Sequence, residues 1–254
     1  MPLFPQEIEQ DAGILIADSL LTEGQYDKAI TKYQEFIDSH GRLRDSHKKN
    51  ISYCFENIGV CYYKLDKYDE AIGCFLKALD LQKEMGDREL MASSLNNIGL
   101  NYKMLGNYDK AIEHYEQAVR IDEESGNTEE MAKTINNIGM IYRAWGKYDK
   151  AIEYFEKSLN LKKSLNDQAG ISNSLNNMGL VYTEWGKYDQ AILLFRESLV
   201  MEETLKNESE AAMRLNNLGR VYFYMKQYDT AMLYFDKCRA MHERLNNRNQ
   251  IALA

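Results

Sequence analysis

Between Ala92 and Gly126 the apolar and small residues fall at Leu95, Ile98, Gly99, Tyr102 and Leu105, three and four apart, the spacing of one helix face. Gly106-Asn107 breaks the pattern, which resumes at Tyr108, Ala111, Ile112, Tyr115, Ala118 and Val119 with the same spacing. Gly126 then supplies a residue that tolerates the left-handed conformation in which helices commonly stop. The segment predicts a helix, a turn, a longer helix and a second turn. Each helix has one apolar face that it cannot bury alone, so neighbouring units must stack.

The pattern recurs. "LNNIGLNYKMLGNYDKAI" begins at Leu95, "INNIGMIYRAWGKYDKAI" at Ile135, "LNNMGLVYTEWGKYDQAI" at Leu175 and "LNNLGRVYFYMKQYDTAM" at Leu215, each 40 residues after the last. A weaker copy starts at Phe55, and a degenerate one ends in "EGQYDKAI" (Glu23 to Ile30), 42 residues before its counterpart. Self-similarity at this period predicts a single stacked array of six repeats, at approximately 10–48, 50–88, 89–128, 129–168, 169–208 and 209–247. "NNRNQIALA" (Asn246 to Ala254) aligns with "GDRELMASS" (Gly86 to Ser94), so residues 248–254 are expected to start a further helix.

Gly99, Tyr102, Ala111, Tyr115 and Ala118 resemble the small-and-aromatic signature of tetratricopeptide repeats. The equivalents are Gly59/Ala71, Gly139/Ala151, Gly179/Ala191 and Gly219/Ala231, with Ala17/Ala29 in the first repeat; the large residue recurs at Tyr33, Phe75, Phe155, Phe195 and Phe235. The resemblance implies an all-α fold, a right-handed superhelical solenoid of antiparallel helix pairs, with Gly99 and Ala111 where the two helices of a repeat touch. The repeat is 40 residues long where the family commonly has about 34, and it lacks the proline that often ends the second helix. In length it is similar to the subgroup that includes kinesin light chain and the LGN/Pins adaptors, and to input domains of bacterial signalling proteins.

Composition narrows the function. A net charge of -8 disfavours nucleic acid as a partner, because phosphate binding needs a basic stripe. Without an apolar run of 18 residues or an N-terminal signal pattern, the chain is expected to be a cytoplasmic protein with no membrane partner. Cys54, Cys61, Cys74 and Cys238 show no C-x-x-C spacing, and His114 and His242 have no metal-ligand partner one turn away, so no metal or cofactor is expected. The recurring Gly139 to Lys147 and Gly179 to Lys187 segments are not phosphate loops: six residues separate the glycines, and Tyr148 and Tyr188 follow the lysines where a Ser or Thr is needed. Gly179 is expected to be a helix contact and Gly186 a helix stop. Trp145 and Trp185, in the place of Leu65, Leu105 and Met225, are expected to pack. Asp and Glu sit beside Lys on helix faces, as in "YDKAIEYFEK" (Tyr148 to Lys157), the pattern of solvated ion pairs. No constellation for catalysis stands out, and the chain is expected not to be an enzyme.

The asparagines are the unexplained residues. Asparagine is a mediocre helix former, because its side chain competes for backbone hydrogen bonds. Yet Asn57, Asn97, Asn137, Asn177 and Asn217 recur in mid-helix, preceded by Glu56, Asn96, Asn136, Asn176 and Asn216. One member of each pair could bridge first helices of adjacent repeats. Alternatively, the second member faces a groove. Positions i, i+4, i+7 and i+11 share a helix face, which groups Tyr53, Asn57, Val60 and Lys64; Ser93, Asn97, Leu100 and Met104; and Lys133, Asn137, Met140 and Ala144. Asn173, Asn177, Leu180 and Glu184, and Met213, Asn217, Arg220 and Tyr224, complete the set. In tetratricopeptide arrays this face lines the concave groove, and the resemblance to the long-repeat adaptors implies that its asparagines hold the backbone of an extended partner. A carboxamide carries donor and acceptor together, which suits that task.

Hydrogen bonds worth roughly 0.5–1.5 kcal/mol net cannot alone offset an association cost of about 4–15 kcal/mol. Apolar anchors at Leu100, Met140 and Leu180 are therefore expected to supply affinity. Lys64, Lys103, Lys133, Arg143 and Arg220 lie on or beside the same face, with Glu184 as the one carboxylate in these sets, so the partner segment is expected to carry acidic residues. The reading is a non-enzymatic module that binds an extended or helical peptide of a partner protein. The alternative is a sensory or regulatory input domain of a larger kinase, cyclase or transcription regulator. The last full helix carries Met232, Phe235, Cys238 and Met241, with Ile251 and Leu253 to cover them, which predicts end-to-end pairing with a second copy or continuation into another repeat.

Overall fold

The computed structural model describes residues 11–40 and 44–252, with side chains described over 11–40 and 47–245. Every regular element among them is an α-helix. Two compact units are present, Met1–Asn127 and Thr128–Ala254. The first holds α1 (Ala12–Thr22), α2 (Tyr26–His40), α3 (Arg44–Lys64), α4 (Tyr68–Met85), α5 (Arg88–Met104) and α6 (Tyr108–Ser125). The second holds α7 (Thr128–Ala144), α8 (Tyr148–Ser164), α9 (Gln168–Glu184), α10 (Tyr188–Thr204), α11 (Glu208–Tyr224) and α12 (Tyr228–Ala252). Within each unit every helix packs on the next, and the first helices of successive pairs also touch, α1 on α3, α7 on α9 and α9 on α11.

The turns explain the regularity. From residue 66 to 226 one residue in every twenty adopts positive φ: Asp66, Gly86, Gly106, Gly126, Gly146, Asn166, Gly186, Lys206 and Lys226. Each closes the preceding helix. At Gly106 the amide donates to the Lys103 carbonyl at 3.0 Å, and the next amide, Asn107, reaches back to Tyr102 at 2.9 Å. These crossed bonds satisfy carbonyls that a helix end leaves open. The next helix starts at once, its first amides taken by side chains such as Asp87 (from Leu90, 3.1 Å) and Asp167 (from Gly170, 2.8 Å). Short turns leave the paired helices antiparallel.

Each repeat is keyed by one ring on one glycine. A Cβ built on Gly59 would lie 2.8 Å from Phe75, on Gly139 2.8 Å from Phe155, on Gly179 2.7 Å from Phe195 and on Gly219 2.6 Å from Phe235. On Gly99 it would lie 3.0 Å from Tyr115. The expected close contact is therefore real, and the atoms nearest each glycine belong to the aromatic ring of the second helix. Ala111, Ala151 and Ala191 are fully buried beside it.

Buried polar groups bind second helices to first helices. In the first unit the Glu56 carboxylate on α3 accepts from Gln82 of α4 at 2.9 Å and from Ser94 of α5 at 2.5 Å. In the second, Lys162 of α8 donates to Ser174 of α9 at 3.0 Å. Arg214 of α11 meets Glu202 of α10 at 3.3 Å, and Ser172 of α9 donates to the same Glu202 oxygen at 2.5 Å.

Two boundaries differ from the sequence reading. The second helix pair begins at Arg44, so the expected division near residue 50 falls inside α3. No new helix starts at 248: α12 runs unbroken from Tyr228 to Ala252, and Asn246, the residue 40 after Lys206, stays helical instead of turning. Ile251's side chain and residues 253–254 lie outside the described set.

Candidate functional site

All the side chains grouped on the proposed face keep solvent exposure, while the adjacent stripe is buried. In the second unit Lys133, Asn137, Met140, Ala144, Asn173, Asn177, Leu180, Glu184, Met213, Asn217, Arg220 and Tyr224 are half-buried or exposed. Ile138, Ile141, Met178, Val181, Leu218 and Val221, one position away, form the core. The first unit repeats this division, with Asn57, Lys64, Asn97, Leu100 and Lys103 outside and Ile58 and Ile98 inside.

The asparagines divide between the two roles. Asn177 donates to Oδ1 of Asn136 at 3.0 Å, and Asn217 to Oδ1 of Asn176 at 2.9 Å, each crossing to the preceding first helix. Asn57 instead donates to the carbonyl of Tyr53 in its own helix at 3.0 Å. Asn137 is exposed and Asn97 half-buried, and neither side chain makes a hydrogen bond among the described residues. The ladder is thus partly a set of inter-helix rungs, each of which still leaves its donor residue a carbonyl oxygen and one N–H. The bridges share an offset of 41 residues, as do Arg214 to Asn173 (2.7 Å) and Arg143 to Glu184.

The charges are less one-sided than the sequence count. The half-buried Arg143 guanidinium grips Glu184, with Nε 3.0 and 3.1 Å from the two oxygens and Nη2 at 2.6 Å. That bidentate pair cancels a cation against the one carboxylate of the face. Lys133 is held by Glu129 at 2.7 Å and Glu130 at 2.6 Å of its own helix, and these carboxylates raise its pKa. Lys64 lies 5.9 Å from the ring centre of Tyr63. Arg220 is exposed. Apolar surface is plentiful: Met213 and Tyr224 are exposed, and Tyr224 stacks on Tyr188 with ring centres 6.3 Å apart. Leu180 packs on the neighbouring core.

The other candidates resolve structurally. Gly146 and Gly186 end their helices with positive φ, and the amides that a phosphate would need are engaged, Gly186 with Thr183 and Lys187 with Tyr182. Lys147 and Lys187 lie over Trp145 and Trp185 at 3.1 and 3.3 Å from the ring centres, and Trp185 is exposed, so these indoles are only partly packing residues. Burial pushes the Cys61 thiol up to about 12, and raises those of Cys54 and Cys74. His114 stacks on Tyr102, and burial lowers its pKa. No His, Cys, Asp and Glu side chains gather into a metal-binding group among the described residues, and no helix there is long and apolar enough to cross a membrane.

A tetratricopeptide repeat model matches residues 11–84, 50–124 and 130–203, and a second tetratricopeptide repeat model matches 211–252. The chain belongs to the tetratricopeptide repeat family. No curated protein matches its sequence. Among solved structures, BtubC (BKLC) from P. vanneervenii aligns with a TM-score of 0.74 at 21% identity, covering 87% of this chain and 92% of that one. The tetratricopeptide sensor-bearing STAND signal-transduction ATPase PH0952 from Pyrococcus horikoshii aligns at 0.76 and 18% identity, over 93% of this chain and 37% of that one. A Rap protein complexed with competence and sporulation factor aligns at 0.59 and 16% identity, over 92% and 64%. At these identities the likeness shows the tetratricopeptide solenoid fold.

Proposed function

We propose that this tetratricopeptide repeat protein is a non-enzymatic interaction scaffold. Its α7–α9–α11 face, in this proposal, takes an extended or helical peptide segment of a partner protein. The observation that carries the reading is the exposed amide of Asn137, which stands unbonded among the described residues on the helix face that also presents Met140, Leu180 and Met213 at the equivalent positions of α7, α9 and α11. A mid-helix asparagine with no structural bond has no evident packing reason. Asn177 and Asn217 keep unused acceptor capacity at the equivalent positions of α9 and α11, and the inter-helix rungs fix the spacing of the row there. The Arg143–Glu184 pair narrows the preference for acidic partner residues to the neighbourhood of Arg220. Asn57, Lys64, Asn97, Leu100 and Lys103 form the corresponding face of the first unit. The Rap neighbour, solved in complex with competence and sporulation factor, supports a partner bound by such an array.

A random peptide library selected against the whole chain tests this. Peptides that survive should crosslink to a photoreactive residue placed at Met213 or Asn137 and not to one placed at Glu153 on α8. Crosslinking confined to α8 would place the site elsewhere.

The similarity to the tetratricopeptide sensor of the STAND protein favours a second reading, in which the same face serves as the input domain of a longer signalling protein. Sequencing the complete reading frame tests it: an adjoining kinase, cyclase, ATPase or DNA-binding region supports an input domain, and its absence removes that reading.

A further inference from the structure

Ile16 on α1 is 52% exposed, although its equivalents Ile58, Ile98, Ile138, Met178 and Leu218 are 0–6% exposed. Met232 on α12 is 64% exposed, although Ile72, Ile112, Ile152 and Ile192 at the same position are 6–8% exposed. These two positions are the halves of one recurring junction. Ile72 on α4 and Ile98 on α5 share a core cluster, and so do Ile192 on α10 and Leu218 on α11. Each joins the second helix of one repeat to the first helix of the next. Among the described residues, a first-helix half at α1 and a second-helix half at α12 are thus left open.

Neighbouring positions fit the same junction. Internal junctions also bury polar groups, as in Lys162 to Ser174 and Glu202 to Arg214. The equivalent positions at the open halves are His242 and Ala12, and Ala12 brings no charge to be buried. Beside Ile16, Leu15 is likewise 52% exposed, and it replaces the asparagine found at that position in the other five repeats. The α1 half is therefore more apolar than its internal counterparts.

We infer that the chain self-associates head to tail, with α1 of one copy docking on α12 of the next as α5 docks on α4. The occupant of each open half is a second copy of this chain. Such an interface joins two different surfaces, so it propagates instead of closing as a symmetric pair. It replaces the expected pairing of two C-terminal repeats with a directional contact, and it does not depend on the peptide-binding reading.

Sedimentation velocity of the whole chain, from low to high micromolar concentration, should show the mean mass rising through dimer to longer species. Ile16→Asp and Met232→Asp should each be monomeric alone, because each lacks one half. Their equimolar mixture should form dimers and stop there, since each partner contributes one intact half. Leu233→Asp is the control: Leu233 is 53% exposed, but its internal equivalent Leu193 is 67% exposed and lies outside the junction. It should associate like the parent. All substituted positions are exposed, and unchanged far-ultraviolet circular dichroism would establish that the variants fold. A parent chain that stays monomeric throughout would overturn the inference. So would an Ile16→Asp variant that still dimerises alone, which would indicate α12 pairing with α12 or with some other surface.

Discussion

The carboxamide of Asn177 on α9 donates to Oδ1 of Asn136 on α7 across 3.0 Å. This bond joins the first helices of adjacent repeats, and Asn217 repeats it to Asn176 at 2.9 Å. At these two junctions the first asparagine of one repeat accepts and the second asparagine of the next repeat donates, whereas Asn57, Asn97 and Asn137 make no such bridge among the described residues.

That division separates stability from binding. Asn177→Ala is expected to cost about 0.5–1.5 kcal/mol, because it removes a partly buried hydrogen bond. Asn137→Ala is expected to leave stability unchanged, since its side chain bonds to nothing among the described residues. Urea melts of both variants check this. Equal losses would mean that Asn137 also supports the fold.

The glycine keys make a sharper demand. Gly179→Ala places a Cβ 2.7 Å from the fully buried ring of Phe195, so either the ring or the helix must shift. Overpacking of this kind typically costs about 1–3 kcal/mol. Combining it with Phe195→Leu, which trims the opposing side chain, should destabilise by less than the sum of the single changes. Strict additivity in the thermal melts would show that the two residues do not compete for space.

Lys206 and Lys226 adopt positive φ where six other turns use glycine. A non-glycine residue there costs roughly 1–2 kcal/mol through its Cβ. Glycine offsets part of that gain by its greater freedom in the unfolded chain. Lys206→Gly is accordingly expected to raise the melting temperature modestly. Gly106→Ala, at a φ of 73°, is expected to lower it.

Much of this was legible in the sequence because the architecture repeats. Helix pairs, turn positions and the glycine-aromatic spacing all follow from residues that recur every 40 positions. The closeness of the aromatic ring to each glycine was not read from the sequence, since spacing along a helix does not say which opposite side chain comes nearest. The split role of the asparagines was open in the sequence, because a bridge and a groove-facing amide use the same residue at the same position. The polar connectors were missed. Gln82, Asp122, Lys162 and Glu202 lie 40 apart on an otherwise apolar stripe, a signal hidden by their differing chemistry. The opposed charges on the face escaped a count of residues, because Arg143 finds its partner 41 positions away.

Glu56 gives the fold a pH dependence. Burial raises its carboxyl pKa, against the lowering effect of the Ser94 and Gln82 hydrogen bonds. The folded chain therefore keeps this proton to higher pH than the unfolded chain, whose glutamate titrates near about 4.3. Between the two pKa values the folded state binds more protons, so this contribution is full below the unfolded pKa and is lost as pH rises through the folded one. Glu56→Gln keeps an acceptor for Ser94 and Gln82 without the charge. It should be more stable than the parent above the folded pKa and should flatten this fall in urea melts taken across pH. A variant with an unchanged pH profile would assign the dependence to other groups.

The central claim is that the α7–α9–α11 face holds a partner's peptide backbone. The direct measurement is the affinity of a library-selected peptide, by fluorescence anisotropy, for the parent and for Asn137→Ala with Met140→Ala, with Lys157→Ala on α8 as control. The account predicts binding at least tenfold weaker in the double variant, about 1.4 kcal/mol or more, with unchanged melting behaviour and unaltered affinity in the control. Equal affinity for parent and double variant, with binding lost in the Lys157→Ala control, would contradict it.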